Sequence, residues 1–383
     1  MSEERPAKRY KYPFEASQAR LQQHLNPPTE LSAALRKLIC CHIFSIAEYQ
    51  FDSLPSYKTR SLPGPLPISL SRSKLRDLSL NAFWVAEKSD GIRRMFVVTE
   101  SRAFLVDRAW TTQELARSKA ICSVVASKGI TIVDGELVNS PYDDRGCFLA
   151  YDAIVVNGEH VGSSKFSVRL DALKKKVIDP LNQAIAAEGV DTLKFMMKLI
   201  VPHSAVDQIF SKIMLSNMSN SKEYWFIDEE SGRKNKNDGV IFTAENEPYL
   251  PTSHSALLKW KWPDLNTVDF KIQAPFFDDR NGELRLYCGG PKGMELFLRS
   301  TPISHTLRTW IETDLRNRSD GRSASCIMEC GYDRATSCWK VLKERPDKVD
   351  ANYLTTVFST LETIIDDVQK REIIASCKAF RGS

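Results

Sequence analysis

The chain has no long uninterrupted hydrophobic run. Its most apolar early stretch, residues 38–51, is broken by His42 and Glu48 and is too short to span a bilayer. Its first thirteen residues, MSEERPAKRYKYP, contain no apolar segment of the kind that a secretory signal requires. These absences predict an intracellular, soluble protein that has no membrane among its partners.

Closely spaced cysteine pairs are also missing. The nine cysteines are scattered, and no two of them have the C-x-x-C spacing that structural zinc sites use. A disulfide framework would suit a small secreted chain rather than one of 383 residues. The sequence therefore predicts reduced thiols in a reducing compartment.

Neither sign of charge dominates the chain. Lys and Arg together number 53 against 48 for Asp and Glu, which gives a formal net charge of +5. Such a mild excess permits a nucleic acid partner without requiring one. The 42% of hydrophobic and 26% of charged residues are typical of a soluble globular protein, and the length suits two or three domains.

Composition shifts divide the chain into four predicted segments. Residues 1–60 form an N-terminal extension, with a basic, partly disordered arm and then a helix. Residues 61–264 carry short apolar runs between turn residues, which predicts an antiparallel sheet system. Residues 265–350 predict a small barrel. Residues 351–383 are predicted to be helical and to pack back on the large domain.

Three helices can be predicted more closely. One covers about residues 29–43, and another covers 164–187, with Lys174, Lys175 and Lys176 on its solvated face. The last runs through the C-terminal segment, with an apolar face formed by Tyr353, Val357, Leu361, Ile365 and Val368.

A charged segment, EKSDGIRR at residues 87–94, separates two apolar runs that resemble strands. Residues two apart on a strand point the same way, so Lys88 and Asp90 share a face, and Gly91 permits a turn. A charged hairpin is the simplest interpretation. The K-x-D-G pattern alone is weak, because average residue frequencies produce it in roughly one such chain in ten.

Other apolar strands are interrupted in the same way. A charged residue at the end of one buried strand usually lies at the solvated edge of the sheet. When several such strands converge, their charged residues favour a polar cleft. The interrupting residues are Asp134, Glu136, Asp152, Asp238, Lys259, Lys261, Arg345, Asp347 and Lys348.

The chemistry of these residue types suggests what the cleft holds. A lysine is a nucleophile only when its amine is neutral, and nearby cations such as Lys259, Lys261 or a divalent ion would lower its pKa. The same cations neutralise phosphates, while Glu136 and Asp238 supply oxygen ligands for a hard metal. Together these features favour attack by Lys88 on a nucleotide phosphorus.

The motif order resembles a known superfamily. The segments EKSDGIR, DGELV, YDAIVV, NDGVIFT, LLKWKW, NTVDF and W…RPDK resemble those of covalent nucleotidyltransferases. Within them, LPGPLPISLSR (62–72), VDRAW (106–110) and ECGY (329–332) are similar to messenger RNA capping enzymes, the GTP:RNA guanylyltransferases. The resemblance runs from about Leu62 to Asn352, with no motif broken at a catalytic position.

The resemblance implies roles for the residues around the lysine. Lys88 would form the covalent lysyl-GMP, and Asp90 belongs to the same motif. Arg93 would contact the ribose, Glu136 would contact ribose or metal, and Asp238 would act through the metal.

It also implies how the nucleotide is held. Tyr151 would stack on guanine with Ile241 on the opposite side, and Lys198 would read the guanine edge. The remaining binding residues would be Lys259 and Lys261 at the α-phosphate, Arg108 at the nucleotide or RNA end, and Asp269, Arg345, Asp347 and Lys348 at the β- and γ-phosphates. The last four are expected to act when the cleft closes about a hinge near residues 261–270.

The implied fold class is α+β, an antiparallel-sheet nucleotidyltransferase domain with a smaller OB-fold barrel. The implied cofactor is Mg²⁺ or Mn²⁺, with GTP as substrate. The implied partners are an RNA 5′ end, the RNA polymerase II C-terminal tail and a separate RNA triphosphatase. A nuclear location follows, or a cytoplasmic one for a virus or parasite that caps RNA there.

Two alternatives to a guanylyltransferase stay open from the residues. One is an ATP-dependent polynucleotide ligase, which shares the lysine chemistry but against which the R-P-D-K ending argues. The other is an inactive scaffold that binds RNA or polymerase. Labelling with GTP or ATP distinguishes the three.

Overall fold

The computed structural model describes residues 25–28, 32–115, 118–140, 143–188, 193–216, 223–252, 254–277, 283–299, 303–315, 325–346 and 348–381. They form two compact units. The larger contains the described residues within 10–68, 76–260 and 373–383, and the smaller contains those within 69–75 and 261–372. The predicted arm, up to residue 24, lies outside the described ranges.

The described strands are, in chain order, β1 (Leu25–Pro28), β2 (Pro67–Ser69), β3 (Phe83–Ser89), β4 (Ile92–Val98), β5 (Ala103–Val106), β6 (Thr112–Leu115), β7 (Thr131–Ser140), β8 (Asp143–Val156), β9 (Glu159–His160), β10 (Lys194–Met197), β11 (Ile200–Pro202), β12 (Ile213–Ser216), β13 (Glu223–Asp228), β14 (Arg233–Ala244), β15 (His254–Lys261), β16 (Thr267–Gln273), β17 (Arg285–Gly290), β18 (Gly293–Arg299), β19 (Ser325–Asp333) and β20 (Cys338–Glu344).

The described α-helices are α1 (Ser32–Phe44), α2 (Ser56–Thr59), α3 (Arg72–Leu75), α4 (Asp77–Leu80), α5 (Ser118–Val125), α6 (Phe166–Leu173), α7 (Asp179–Glu188), α8 (Val206–Ser211), α9 (His305–Trp310), α10 (Leu354–Asp366) and α11 (Lys370–Ala379). Short 3₁₀ turns lie at Glu48–Ser53, His203–Ala205 and Pro263–Leu265, and π-helical turns at Lys174–Ile178 and Ile311–Leu315. No helix within the described ranges combines the length and the apolar content needed to cross a bilayer.

Two sheets build the larger unit. The first has the order β1-β6-β5-β4-β7-β8-β10 with β9 on β8, and its pairs are antiparallel except β8–β10. The second has the order β11-β3-β14-β13-β12, and β15 joins β14 to β2. Strand β3, which ends at the K-x-D-G segment, therefore lies inside the second sheet rather than at its edge.

The first sheet is buried on both faces, which explains the continuous apolar run of β4. Met95 and Val97 pack in one cluster with Ile39 of α1. Phe96 and Val98 pack in another cluster, on the side of α5, α6 and α7. Because side chains alternate along a strand, the two clusters lie on opposite faces of the sheet, and helices cover both faces.

The smaller unit contains one antiparallel sheet of order β18-β17-β16-β19-β20. Its core holds Phe270, Trp339 and Val357, the last from α10. Among the described residues no pairing closes the sheet into a barrel, although Cα atoms of β18 and β20 approach within 8 Å. The α+β class and the antiparallel sheets are confirmed, with the small sheet curved and open in these residues.

The first two predicted helices are present. The helix predicted at 164–187 is confirmed as α6, a π turn and α7, with Lys174, Lys175 and Lys176 exposed. Helix α1 matches the one predicted at about 29–43, of which residues 29–31 lie outside the described ranges.

The apolar face predicted for the C-terminal helix is wrong in part. Asp367 has φ 49°, so α10 ends at Asp366 and α11 begins as a separate helix at Lys370. Val357 and Ile364 are buried, whereas Ile365 is 71% exposed. The sequence spacing missed this break because left-handed Asp is a property of one residue rather than of a period.

Candidate active site

A lysine–aspartate ion pair lies where β3 and β14 meet. Lys88 Nζ lies 2.7 Å from Asp238 Oδ2. The register of the two strands passes from Asn237–Ser89 to Gly239–Lys88, which leaves Asp238 as the extra residue of a β-bulge. A bulge re-aims a side chain, and here it directs the carboxylate at the amine.

Gly91 is required for close approach rather than for a turn. Its φ is not among the positive values found in the described glycines. A Cβ on Gly91 would lie 2.6 Å from the Leu137 carbonyl oxygen and 2.7 Å from Glu136 Cγ. The chain does bend at Asp90 and Gly91, as predicted, but the bend needs no positive φ, and glycine is required because β4 and β7 approach too closely for a side chain there.

The charges with the largest effect on the pKa of Lys88 in the protein alone are carboxylates, so the predicted lowering by cations stays a prediction for the metal- and nucleotide-bound protein. Burial lowers the pKa of Lys88, but Asp238, Glu136 and Asp90 together raise it above its ordinary value. Cations were predicted to lower this pKa. Without nucleotide the Lys88 amine is therefore charged, and a compensating positive charge must arrive before it can attack.

Arg93 is held by a buried carboxylate. Its Nε and Nη2 donate to the two oxygens of Asp134, at 3.0 and 2.6 Å. The hydroxyls of Tyr151 and Tyr249 donate to the same carboxylate, at 2.9 and 2.7 Å. Asp134 is fully buried, and it fixes both Arg93 and Tyr151.

A second bulge presents two consecutive residues to the site. The register of β7 and β8 passes from Asp134–Asp152 to Gly135–Ala150, so Tyr151 has no partner across the ladder. Arg169 of α6 donates to Asp152 at 2.7 and 3.0 Å. Burial raises the pKa of Asp152 although Arg169 opposes it. Arg169 has no local motif, and the sequence patterns did not predict it.

Lys198 follows β10 and is almost fully buried. Its Nζ lies 3.0 Å from Glu136 Oε2 and 3.9 Å from Glu87 Oε1. It also lies 5.5 Å from the centre of the Tyr151 ring. Burial raises the pKa of Glu87, but Lys198 and Arg233 outweigh it and lower this pKa.

Several of these side chains line one cavity of about 180 Å³ in the larger unit. Of the predicted site residues, the lining includes Lys88, Arg93, Arg108, Glu136, Tyr151, Lys198 and Ile241. Gly64 supports the wall beside Arg93, because its φ is +143° and a Cβ would overlap the guanidinium. Seven of the fifteen predicted site residues therefore meet around one space.

Lys259 and Lys261 stand apart from this lining. Both are half-buried residues of β15, and the buried Trp260 separates them, so the two lysines share one strand face. The cavity lining given by the structure does not include them. Their predicted contact with the α-phosphate stays a prediction.

The smaller unit gathers the cations predicted to meet the outer phosphates. Arg345 Nη1 lies 3.2 Å from Asp269 Oδ1 and 3.4 Å from Glu329 Oε2. Lys348 Nζ lies 4.0 Å from Asp269 Oδ2. Asp347 lies outside the described residues. The structure thus brings Arg345, Lys348 and Asp269 together in one ion-pair cluster.

The acidic residues at Lys88 suit a hard cation that takes few protein ligands. Within the described ranges no group of three or more His, Cys, Asp and Glu is placed to hold a metal. Mg²⁺ commonly binds one or two carboxylates and completes its shell with water and substrate phosphate. Asp238 and Glu136, half-buried beside Lys88, fit that requirement.

Two family models match the chain almost end to end. The model "mRNA capping enzyme, catalytic domain" matches residues 30–263, and "mRNA capping enzyme, C-terminal domain" matches residues 265–374. The catalytic model covers the sheets that form the cavity and also α1, which the sequence motifs had not linked to the catalytic domain.

Two proteins with similar sequences are named as capping enzymes, and a solved structure similar to this chain is a DNA ligase. The mRNA-capping enzyme subunit alpha of Schizosaccharomyces pombe is 26% identical over 347 residues, covering 84% of this chain and 81% of that protein. The Neurospora crassa protein of the same name is 27% identical over 361 residues, covering 84% and 85%. A solved mycobacterial DNA ligase D, complexed with ATP and MES, is 15% identical over 75% of this chain and 95% of its own, with a TM-score of 0.37.

Proposed function

We propose that this chain, which belongs to the mRNA capping enzyme family, is a GTP:RNA guanylyltransferase that carries GMP on Lys88. The observation that supports this most directly is Lys88 itself. Its amine is held 2.7 Å from Asp238 beside a cavity whose lining includes Arg93, Lys198 and Tyr151. A lysine amine that lines such a cavity and has a carboxylate within proton-transfer distance suits attack on phosphorus, once deprotonated, better than a structural role.

In the proposed first step, Lys88 Nζ bonds to the α-phosphorus of GTP. The bond from that phosphorus to the bridging oxygen breaks, and pyrophosphate leaves with its electron pair. The amine must first lose a proton, and Asp238 lies within proton-transfer distance of it. In the second step a terminal phosphate oxygen of diphosphate-ended RNA displaces Lys88, which regains a proton.

We propose Asp238 and Glu136 as the protein ligands of Mg²⁺ or Mn²⁺. Bound there, a dication neutralises phosphate charge and offsets the negative field around the amine. Glu136 is held by Lys198 at 3.0 Å and lies opposite Arg93 across the ladder, so its carboxylate is oriented before any ligand binds. Arg93, fixed by Asp134, is placed to hold the ribose.

Guanine is proposed to lie between Tyr151 and Ile241, which both line the cavity. Lys198 is a buried donor 5.5 Å from the centre of the Tyr151 ring, so it is the residue proposed to read the base edge. A buried polar contact discriminates between bases far better than apolar stacking does.

A labelling experiment tests the function and its two alternatives together. The protein is incubated with Mg²⁺ or Mn²⁺ and either GTP or ATP labelled at the α-phosphate, then denatured and separated by size. We expect label from GTP alone. Label from ATP would support a polynucleotide ligase, and no label from either nucleotide would support an inactive scaffold.

Replacing Lys198 tests base recognition. Lys198→Ala should raise the KM for GTP or relax preference over ATP, while Tyr151→Leu should weaken both nucleotides alike. Lys198→Ala also leaves Glu87 and Glu136 short of a cation, and breaking a buried pair costs about 3–5 kcal/mol of unfolding free energy. Kinetics are therefore compared at a temperature where thermal unfolding shows both variants folded. Unchanged GTP kinetics in Lys198→Ala would assign the guanine edge to another residue.

Replacing Arg345 tests the residues of the smaller unit. We propose that Arg345, Asp347 and Lys348 orient the β- and γ-phosphates, which exist only before pyrophosphate leaves. Arg345→Ala should therefore slow GMP attachment at least tenfold and slow transfer from a preformed adduct much less. Lys343→Ala is the control, because Lys343 also pairs with Glu329, at 3.2 Å.

Single-turnover rates of both half-reactions decide between roles for Arg345. Full-speed attachment in Arg345→Ala would leave Arg345 with only a structural role, as the ion-pair partner of Asp269 and Glu329.

The remaining partners and the location are proposals drawn from the family. They are an RNA 5′ end as acceptor, the RNA polymerase II C-terminal tail, a separate RNA triphosphatase, and action in the nucleus, or in the cytoplasm for a virus or parasite that caps RNA there. The relatives that support them are eukaryotic capping enzymes.

A further inference from the structure

The sheet face that carries Lys88 continues into an aromatic and basic surface. On β14 the half-buried Lys234, Lys236 and Asp238 alternate with buried residues, so their side chains share one face. Asp238 holds Lys88 on that face. Trp225 of β13 lies directly opposite Lys236 in the register, so its ring lies on the same face.

The indole is flanked by cations and not by core residues. Lys234 Nζ and Lys236 Nζ lie 5.1 and 5.8 Å from the centre of the Trp225 ring. Met214 of β12 faces Trp225 across the ladder and is 57% exposed. A half-buried tryptophan beside an exposed methionine and two lysines forms a contiguous aromatic and basic surface of the kind that marks an interaction site.

We propose that Met214, Trp225, Lys234 and Lys236, called here the β13–β14 platform, bind the first nucleotides of the acceptor RNA. This inference rests on the proposed function, because it supplies the path of the second substrate. A base stacks on the indole of Trp225, and the adjoining phosphates contact Lys234 and Lys236.

Geometry and charge favour single-stranded RNA as the occupant. Trp225 lies one strand away from β14, and Asp238 lies two residues further along β14 than the partner of Trp225, Lys236. This places the two residues roughly 8 Å apart along the sheet. A nucleotide next to the reacting 5′ end can span that distance. Stacking on an aromatic ring accepts any base, which suits an enzyme whose acceptor differs from one transcript to the next.

Two carboxylates that interact with Lys236, Asp90 and Glu223, oppose binding of an anion at the platform. Glu223 accepts a hydrogen bond from Lys236 at 2.8 Å. Both side chains are about one third exposed, at 32% for Glu223 and 37% for Lys236. Exposed ion pairs contribute little, so a phosphate can take the place of Glu223 at the lysine.

The test separates the two half-reactions on the full chain. Adduct is first formed with GTP, then mixed with diphosphate-ended RNA of about ten nucleotides or with a nucleoside diphosphate that cannot reach Trp225. We expect Trp225→Leu to raise the KM for RNA on the order of tenfold, without changing attachment or transfer to the short acceptor. Trp225→Phe keeps an aromatic ring and should lose much less.

Salt dependence tests the lysines. Replacing Lys234 and Lys236 with Gln should lower the slope of log KM against log salt by about 1.4, because each phosphate that a protein neutralises on a single strand adds about 0.7 to that slope. The control replaces Lys175 and Lys176 with Gln, which removes two exposed helical lysines of the same unit. That control should keep the wild-type slope.

The outcomes are distinguishable from failure of the proposed function. If even the unmodified chain attaches no GMP, the function itself fails. If attachment is normal and RNA transfer keeps its KM and salt slope in all platform variants, only the platform is overturned. Loss of attachment in Trp225→Leu but not in Trp225→Phe would also overturn it, because the ring would then support the sheet rather than RNA.

Discussion

Lys88→Ala should abolish attachment of GMP to the protein. No other amine within the described cavity lining sits where Lys88 does, since Lys198 is buried against Glu136 and Glu87. Lys88→Arg should fail as well, because a guanidinium is not deprotonated in proteins and cannot attack phosphorus. The measurement is the amount of labelled GMP that stays with the protein after denaturation.

The control must separate lost chemistry from lost structure. Removing Lys88 leaves Asp238 without its 2.7 Å partner, so some loss of stability is expected in both variants. Lys212→Ala removes a lysine that is similarly paired, at 2.6 Å to Asp228, and should still accept GMP. An adduct on Lys88→Ala or Lys88→Arg would show that another residue is the nucleophile.

Residue types indicated the site well, because its chemistry demands charges where a strand core would not place them. Lys88, Glu136 and Asp238 stood out for that reason. In the structure both carboxylates lie close enough to the Lys88 amine to raise its pKa. The antiparallel sheets were also predictable, since short apolar runs between turns follow the strand period.

The bulges could not be read from the sequence. Whether Asp238 and Tyr151 occupy an extra position depends on the partner strand, which alternation within one strand does not reveal. A regular ladder would turn one residue of each neighbouring pair away from the cavity. The sequence therefore predicted several residues of the cavity lining but not how consecutive residues reach it.

Buried supports were missed for a related reason. Asp134 stood out as a charge in a strand. The three residues that donate hydrogen bonds to it, Arg93, Tyr151 and Tyr249, come from β4, β8 and the segment before β15. Arg169 carries no local pattern, and its partner Asp152 lies on a different element. Such contacts depend on tertiary packing, which no local period encodes.

Asp238→Asn should slow GMP attachment by about tenfold to a thousandfold, because it removes a proposed metal ligand and proton acceptor at the nucleophile. The variant also separates two effects on the amine. Burial lowers the pKa of Lys88 and Asp238 raises it most among the carboxylates, so the pKa should fall when Asp238 is neutral. If keeping Lys88 charged were the only role of Asp238, the variant would react faster near neutral pH.

The pH profile of attachment distinguishes these effects. The rate depends on neutral amine, so in the unmodified chain it should rise with pH into the alkaline range, following the raised pKa of Lys88. In Asp238→Asn the rise should move to lower pH while the plateau drops. Asp228→Asn, which removes the partner of Lys212 on the same sheet, should change neither. A profile with an unmoved rise and a full plateau, across a titration of Mg²⁺ and Mn²⁺, would show that Asp238 neither tunes the amine nor binds the metal.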